Sequence, residues 1–142
     1  MQILIDTNVM LDVLLNREAF VQDAVNVLKL PEDEVQKFVS ASAITDIHYI
    51  AQLEIRNKAK VKELLRNTLK IVRVAGVSEN DILEALNSNW TDFEDSVQNA
   101  VAESHNYDAV VTRNKKDYNK SKLQVFSPTE FLKFVKNKSR QS

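Results

Sequence analysis

The chain opens Met1-Gln2-Ile3-Leu4-Ile5-Asp6-Thr7-Asn8-Val9, a short apolar run that stops on an acid. Ile3 to Ile5 reads as a buried first strand, and Val9, Met10, Val13 and Leu14 follow at helical spacing. An acid at the end of a buried strand is costly to place, because its charge must be met by a cation, a hydrogen-bond network or a metal ion. Asp6, Thr7 and Asn8 equally suit an N-cap, since all three residue types cap helices well. Capping and ion binding can share one turn.

Outward from this start, apolar runs and helical stripes alternate. A second helix is expected from about Glu18 to Leu30, closed near Pro31. Phe38-Val39-Ser40 reads as a strand, and Ser42 as the cap of a helix carrying Ile44, Ile47, Ile50 and Ala51. A basic helix from about Asn57 to Leu69 precedes a third strand at Ile71–Val74. Ser78 caps the next helix, and Thr91 or Asp92 begins another with Phe93, Val97, Ala100 and Val101 inward. Ala109–Thr112 and Leu123–Phe126 complete the strands. Ser127-Pro128-Thr129-Glu130 starts a last helix, from Phe131 to about Val135. The alternation predicts an α/β sandwich around a mostly parallel sheet of about five strands. Residues 1–135 form a single domain in this reading, and 136–142 a flexible C-terminal tail. In such sheets, sites form outside the carboxyl ends of the strands, near the switch in strand order. Asp6 and Thr112-Arg113-Asn114 then face one crevice if their strands are neighbours.

Composition removes several classes of chemistry. With no cysteine, disulfides, thiolate-bound zinc, iron–sulfur clusters and Cys nucleophiles are excluded, which suits a reducing cytoplasm. The single glycine, Gly76, rules out a P-loop or a Rossmann fingerprint, since each needs several glycines to bring backbone to phosphate. Asp6 and Asp12 interrupt the first apolar stretch, and no run approaches the roughly 18 residues of a membrane span. No signal peptide or membrane association is expected.

The net charge of −1 hides a blocked pattern. Residues 1–53 sum to −5 and residues 74–112 to −8, whereas 54–73 sum to +5 and 113–142 to +7. That segregation suits a molecule that gathers acids at one site and offers basic surface to a polyanion. Solvated lysine-rich helix faces give the same pattern.

Four acids far apart in sequence are candidates to meet as a divalent-metal cage. Asp6 ends the first strand. Asp46 falls on a mostly apolar helical segment among Ala43, Ile44, Ile47 and Ile50, although an acid near a helix start also complements the dipole. Asp92 and Asp95 share a helix face within Thr91–Asn99, the densest acidic cluster, and crowded carboxylates call for a cation. Asp95, beside Val97 and the Ala100–Val101 pair, is the better ligand of the two. Asp117 follows the fourth strand among Arg113, Asn114, Lys115 and Lys116, where it could equally form a surface ion pair. Asn8, Thr112, Asn114 and Asp92 are supporting polar groups. Arg113, Lys115 and Lys116 are candidate phosphate contacts. His48 and His105 read as structural residues, and Trp90 and Tyr49 as packing residues that could also stack on bases.

In order and spacing, Ile5–Val9, Ser42–Tyr49, Asp92–Asp95 with Ala100 and Ala102, and Val111–Tyr118 together resemble a PIN domain. The branch it is most similar to is that of the VapC-type ribonuclease toxins. The resemblance runs over essentially the whole chain, to Ser127–Phe131. It implies a parallel-sheet α/β/α sandwich and Mg²⁺- or Mn²⁺-dependent cleavage of RNA, with one or two ions. It puts the family's first acid on Asp6, its polar neighbour on Asn8, its second acid on Asp46 and its third on Asp95. The last acidic position falls on either Asn114, where many relatives carry Asp, or Asp117. Asp46 stands where Glu is commoner, which shortens one ligand arm by a methylene. A cognate antitoxin and a homodimer are further implications of the resemblance. A catalytically weak RNA- or partner-binding module, or an RNA-processing nuclease without antitoxin, is the alternative. A phosphatase of the haloacid-dehalogenase type also starts with an acid after strand one, but it wants a second Asp where Asn8 stands.

Overall fold

The computed structural model describes residues 1–141. Five strands form one sheet in which every pairing is parallel: β1 (Gln2–Ile5), β2 (Gln36–Ser40), β3 (Arg73–Ala75), β4 (Ala109–Val111) and β5 (Gln124–Phe126). Their order is β3-β2-β1-β4-β5. The chain therefore winds outward from β1 through β2 to β3, then returns to the other side of β1. The switch in direction lies between β1 and β4, whose carboxyl ends carry Asp6 and Thr112. That is where a parallel sheet opens a crevice.

Side chains alternate across the strands, as a sheet buried on both faces requires. Ile3, Ile5, Val39, Ala109 and Val111 enter one core. That core is covered by α1 (Thr7–Leu14), α2 (Val21–Leu28), α3 (Ala41–Ile55), α4 (Lys58–Thr68) and α7 (Pro128–Gln141). Leu4 and Val110 enter the other, beneath α5 (Glu79–Asn87) and α6 (Phe93–Ser104). This is the three-layer α/β/α sandwich expected of the alternation. No helix among the described residues is long and apolar enough to cross a membrane.

Several boundaries differ from the pattern-based reading, each for a local reason. α3 begins at Ala41 because β2 runs into it without a loop, so Ser40 rather than Ser42 is the cap and accepts from the Ser42 N–H at 3.3 Å. The third strand starts at Arg73, since Ile71 and Val72 donate back to the Thr68 carbonyl in the turn that ends α4. α2 starts at Val21 because Phe20 closes a turn onto the Arg17 carbonyl. The last helix runs on to Gln141, where Val135, Lys138 and Ser139 line a groove with Met1, Glu34 and Val35. Ser142, the end of the expected tail, lies outside the described residues.

One buried ion pair ties the loop after β4 to α1. Asp12 is fully buried, and Arg113 grips it twice, Nε to Oδ2 at 2.7 Å and a terminal nitrogen to Oδ1 at 3.2 Å. Arg17 approaches the same carboxylate at 3.5 Å, and the Phe20 ring lies 3.9 Å beneath the Arg113 guanidinium. Removing one partner of such a pair strands a buried charge, whereas removing both with apolar replacements costs far less. Because Arg17 stays beside Asp12, Arg113→Ala is expected to lower unfolding stability by less than the about 3–5 kcal/mol of a fully stranded charge, and adding Asp12→Leu should restore part of that loss. Urea denaturation of the single and double variants measures both effects.

Candidate active site

Asp6 sits 4% exposed at the end of β1. Its backbone N–H donates to the Val111 carbonyl of β4 at 3.0 Å, extending the β1–β4 ladder by one residue. Its carboxylate is held on both oxygens. Oδ1 accepts from the Thr7 N–H at 2.7 Å, which makes Asp6 the cap of α1, and Oδ2 accepts from the Thr112 hydroxyl at 2.6 Å. Cap and site thus share one side chain. Burial pushes the Asp6 carboxyl above the ordinary carboxylate range, and these hydrogen bonds only partly oppose it.

Thr112 is the hub of this corner. Besides donating to Asp6, its oxygen accepts from the Asn114 N–H at 3.0 Å and from Asn8 Nδ2 at 3.5 Å. Asn8 Oδ1 in turn accepts from the Arg113 N–H at 3.3 Å. Asn8, Thr112 and the Asn114 backbone therefore lock the loop after β4 onto the first turn of α1. Asn114 itself is exposed.

α6 supplies the next acids through its first turn. Asp92 is the cap, its Oδ1 accepting from the Asp95 N–H at 2.9 Å. Glu94 accepts from the Thr7 hydroxyl at 3.2 Å, which ties α6 to the start of α1. Burial raises the Glu94 carboxyl, and the charge of Asp46, reaching in from α3, raises it further. Asp95 is pushed up to about 7, by burial first and then by the charges of Asp6, Asp92, Asp117 and Glu94. Asp117 stands exposed in a 3-10 turn over Lys115–Tyr118. Six carboxylates from four separate segments thus surround one crevice at the β1/β4 switch.

Glu94 is the residue that pattern reading undervalued, since an acid in a helix's first turn looks like ordinary dipole compensation. Its neighbour Asp95 held the signal: adjacent first-turn residues of one helix can both face a crevice that the helix start adjoins. Of the candidate phosphate contacts, Arg113 has its guanidinium engaged by buried Asp12. Lys115 pairs with Glu130 on α7 at 3.1 Å, and Lys116 borders a cleft with Asp117. His105 Nδ1 lies 2.8 Å from the Val101 carbonyl. His48 faces a groove with Tyr49 and Arg56 away from the acids.

The donor set is all oxygen, which matches a hard divalent cation. Two buried polar groups, the Gln98 amide and the Tyr118 hydroxyl, lie close enough to Asp6 to lower its carboxyl but fall short of full hydrogen-bonding geometry. Unsatisfied polar atoms beside a cluster of mutually repelling carboxylates mark a place that a cation and its waters would complete. As the side chains stand, no three acids among the described residues converge closely enough to hold an ion directly.

A family model described as PIN domain matches residues 2–116. The chain belongs to the PIN domain family. Among solved structures, this PIN domain is similar to a chain of VapBC2 from Rickettsia felis bound to a promoter DNA fragment, with TM-score 0.69 and 14% identity over 89% of this chain and 98% of that one. It is also similar to a chain of FitAcB from Neisseria gonorrhoeae, with TM-score 0.65 and 21% identity over 89% and 98%. VapC20 from Mycobacterium tuberculosis, described as a sarcin–ricin loop cleaving toxin, matches with TM-score 0.61 and 16% identity over 76% and 86%. At these identities the likeness is one of fold. No match to a curated protein emerges from sequence.

The raised carboxyls carry a sign that can be measured. In an unfolded chain Asp95 ionises near 3.8, and in the folded protein near 7. The folded state holds the extra proton between those values, so its stability falls as pH rises through that window and levels off above it. The Asp6 and Glu94 shifts act in the same direction. In EDTA, the thermal midpoint should therefore decline from pH 4 to pH 8. Asp95→Asn should flatten the decline and raise the midpoint at pH 8, as scanning calorimetry would show.

Proposed function

We propose that this PIN domain is a divalent-metal-dependent endoribonuclease, with Asp6 and Asp95 as principal ligands and Asp46, Glu94 and Asp117 completing the cage directly or through water. The observation that supports this most is Asp6 itself: a buried carboxylate at the strand-order switch, ringed by acids and, among the described residues, approached by no basic side chain. A resident Mg²⁺ or Mn²⁺ would polarise the scissile phosphate and make hydroxide available from a bound water at neutral pH.

The chain's own residues do the remaining work. Thr112 and the Thr7 N–H fix the Asp6 carboxylate in one orientation, so that it meets an ion without first reorganising. Thr7 does the same for Glu94, whose longer arm faces Asp46. Asp117 adds a further acid from the turn after β4, and Asn114 contributes its backbone to the Thr112 hub. Lys116, with Lys115 at the rim, offers positive charge to the RNA backbone.

The VapBC2 and FitAcB similarities support a toxin of a toxin–antitoxin pair. In this reading a small protein antitoxin covers the acidic crevice and the toxin acts as a homodimer, as the family resemblance implies. Such a system works in the cytoplasm.

With a quenched fluorescent RNA, cleavage should require Mg²⁺ or Mn²⁺ and stop in EDTA. Asp6→Asn and Asp95→Asn should each lower the rate by roughly a hundredfold or more. Thr112→Val should cost about 10–100-fold, the range typical of a lost outer-shell partner. An Asp6→Asn protein that cut RNA as the native chain does would overturn the assignment. A native chain that bound RNA but neither cut it nor took up Mn²⁺ would make it a binding module.

A further inference from the structure

Beside the acidic centre lies a second feature that the metal reading leaves unused. A cleft of about 380 Å³ is lined by Trp90, Thr91, Asp92, Lys116, Asn119 and Lys120. Asp117 forms part of the same wall. The cleft therefore shares Asp92 and Asp117 with the acidic cluster, while the rest of its lining lies outside the proposed metal ligands and Trp90 packs against the second core. Its volume is at the small end of ligand sites, roughly 300–1,000 Å³.

We infer that this cleft is a nucleobase pocket, seating one base of the RNA next to the scissile phosphate and favouring guanine over uracil. The identity of the ligand as RNA rests on the nuclease reading above. The choice of a base rather than a phosphate comes from the lining.

Trp90 gives the cleft an aromatic wall. It is half-buried and meets the Tyr118 ring edge-to-face, with centroids 5.5 Å apart at 86°, so the indole is braced before any ligand arrives. Lys120 Nζ donates to the Asn89 carbonyl at 2.6 Å, pinning the segment after Tyr118 to the one before Trp90. The cleft is thus held from both sides.

Charge then decides what can enter. Two carboxylates and two lysines line the cleft, so a dianionic phosphate would meet repulsion from Asp92 and Asp117, whereas a neutral heteroaromatic ring would not. Asp92 uses Oδ1 to cap α6, which leaves its other oxygen as an acceptor. The Thr91 hydroxyl and the Asn119 amide add further acceptors. Guanine presents an N–H and an exocyclic amine side by side, which one carboxylate can accept together, and Lys116 suits its O6 and N7 acceptors. Uracil offers a single N–H between two carbonyl oxygens, so a carboxylate gains one donor where guanine gives two and meets a carbonyl oxygen beside it. Stacking on indole is available to every base, so it sets affinity, and the acceptor set provides the discrimination.

Trp90 is the only tryptophan in the chain, and its emission reports on stacking without any need for cleavage. GMP, AMP, CMP, UMP and ribose 5-phosphate would each be titrated into the full chain. GMP should quench saturably, UMP should need at least about tenfold more, and ribose 5-phosphate should leave the emission unchanged. Asn119→Ala and Lys116→Ala should narrow the GMP–UMP gap. By equilibrium dialysis, Trp90→Ala should bind GMP about 5- to 100-fold more weakly, and Trp90→Phe should recover most of that loss. Equal quenching by all four nucleotides, a response to ribose 5-phosphate matching that to GMP, or no quenching at all would overturn the pocket. A chain that cuts RNA with no nucleotide response sinks the pocket alone. One that responds selectively to GMP yet cuts nothing supports the pocket and sinks the nuclease reading.

Discussion

The hydrogen bond from the Thr112 hydroxyl to Asp6 Oδ2, 2.6 Å long and buried, is the constraint on which the site depends. Two parallel strands, neighbours in the sheet but far apart in sequence, end at the same level, and this bond joins the residues just past their carboxyl ends. It fixes one oxygen of Asp6 while the Thr7 N–H fixes the other. Through the same hydroxyl, Asn8 and the Asn114 backbone are drawn to one point. A serine could make the bond, but threonine's second branch also suits the buried end of a strand. The corner is rigid because each polar group satisfies another, which is how a charged residue can end a core strand.

Against that rigidity stands an accumulation of like charge. Acids from α3, α6 and the turn after β4 converge where Asp6 is already desolvated, and the result is an Asp95 carboxyl pushed up to about 7. The fold does not relieve this with nearby bases. Its most buried guanidinium, that of Arg113, is drawn past the site to Asp12, and Lys115 is drawn to Glu130. These two positive charges, within a few residues of the crevice, are engaged elsewhere. The cation proposed for this corner would relieve that crowding of like charge.

How much of this could be read from the sequence depends on the range of the interaction. The sheet and its layers were legible because strand alternation and helical stripes are local signals, and Ile3-Leu4-Ile5 splits cleanly between two cores. Ser78 was legible as a cap for the same reason, and Asp92 as one of two candidates with Thr91. Asp6 could be read because a strand-ending acid is anomalous wherever it occurs. Thr112 was within reach once the two strands were placed side by side. Partnership over distance could not be read. Nothing local to Arg113 reveals that Asp12, in the second turn of α1, will pair with it. Nothing local to Glu94 reveals Thr7 and Asp46. The boundaries that moved, at Ser40 and Arg73, did so because a strand and a helix met with no loop or a turn used up its residues. Sequence periodicity does not register either event.

The blocked charge pattern acquires a location only in three dimensions. The acidic block of residues 74–112 ends just past β4, and the basic block begins at Arg113. The start of α6, from the first block, and the turn at Lys115–Tyr118, from the second, come to lie on either side of one cleft. Where the first block meets Asp6 and Asp46, charge of one sign accumulates, and this is the place proposed for a cation. Where it meets Lys116 and Lys120, opposite signs balance around an indole, the lining proposed for a base. A single helix N-terminus thus borders two chemically different compartments a residue or two apart, with Asp92 and Asp117 as their common wall. In a nuclease, that adjacency lets recognition of a base set the position of the phosphate beside it, because moving either would require the shared wall to move.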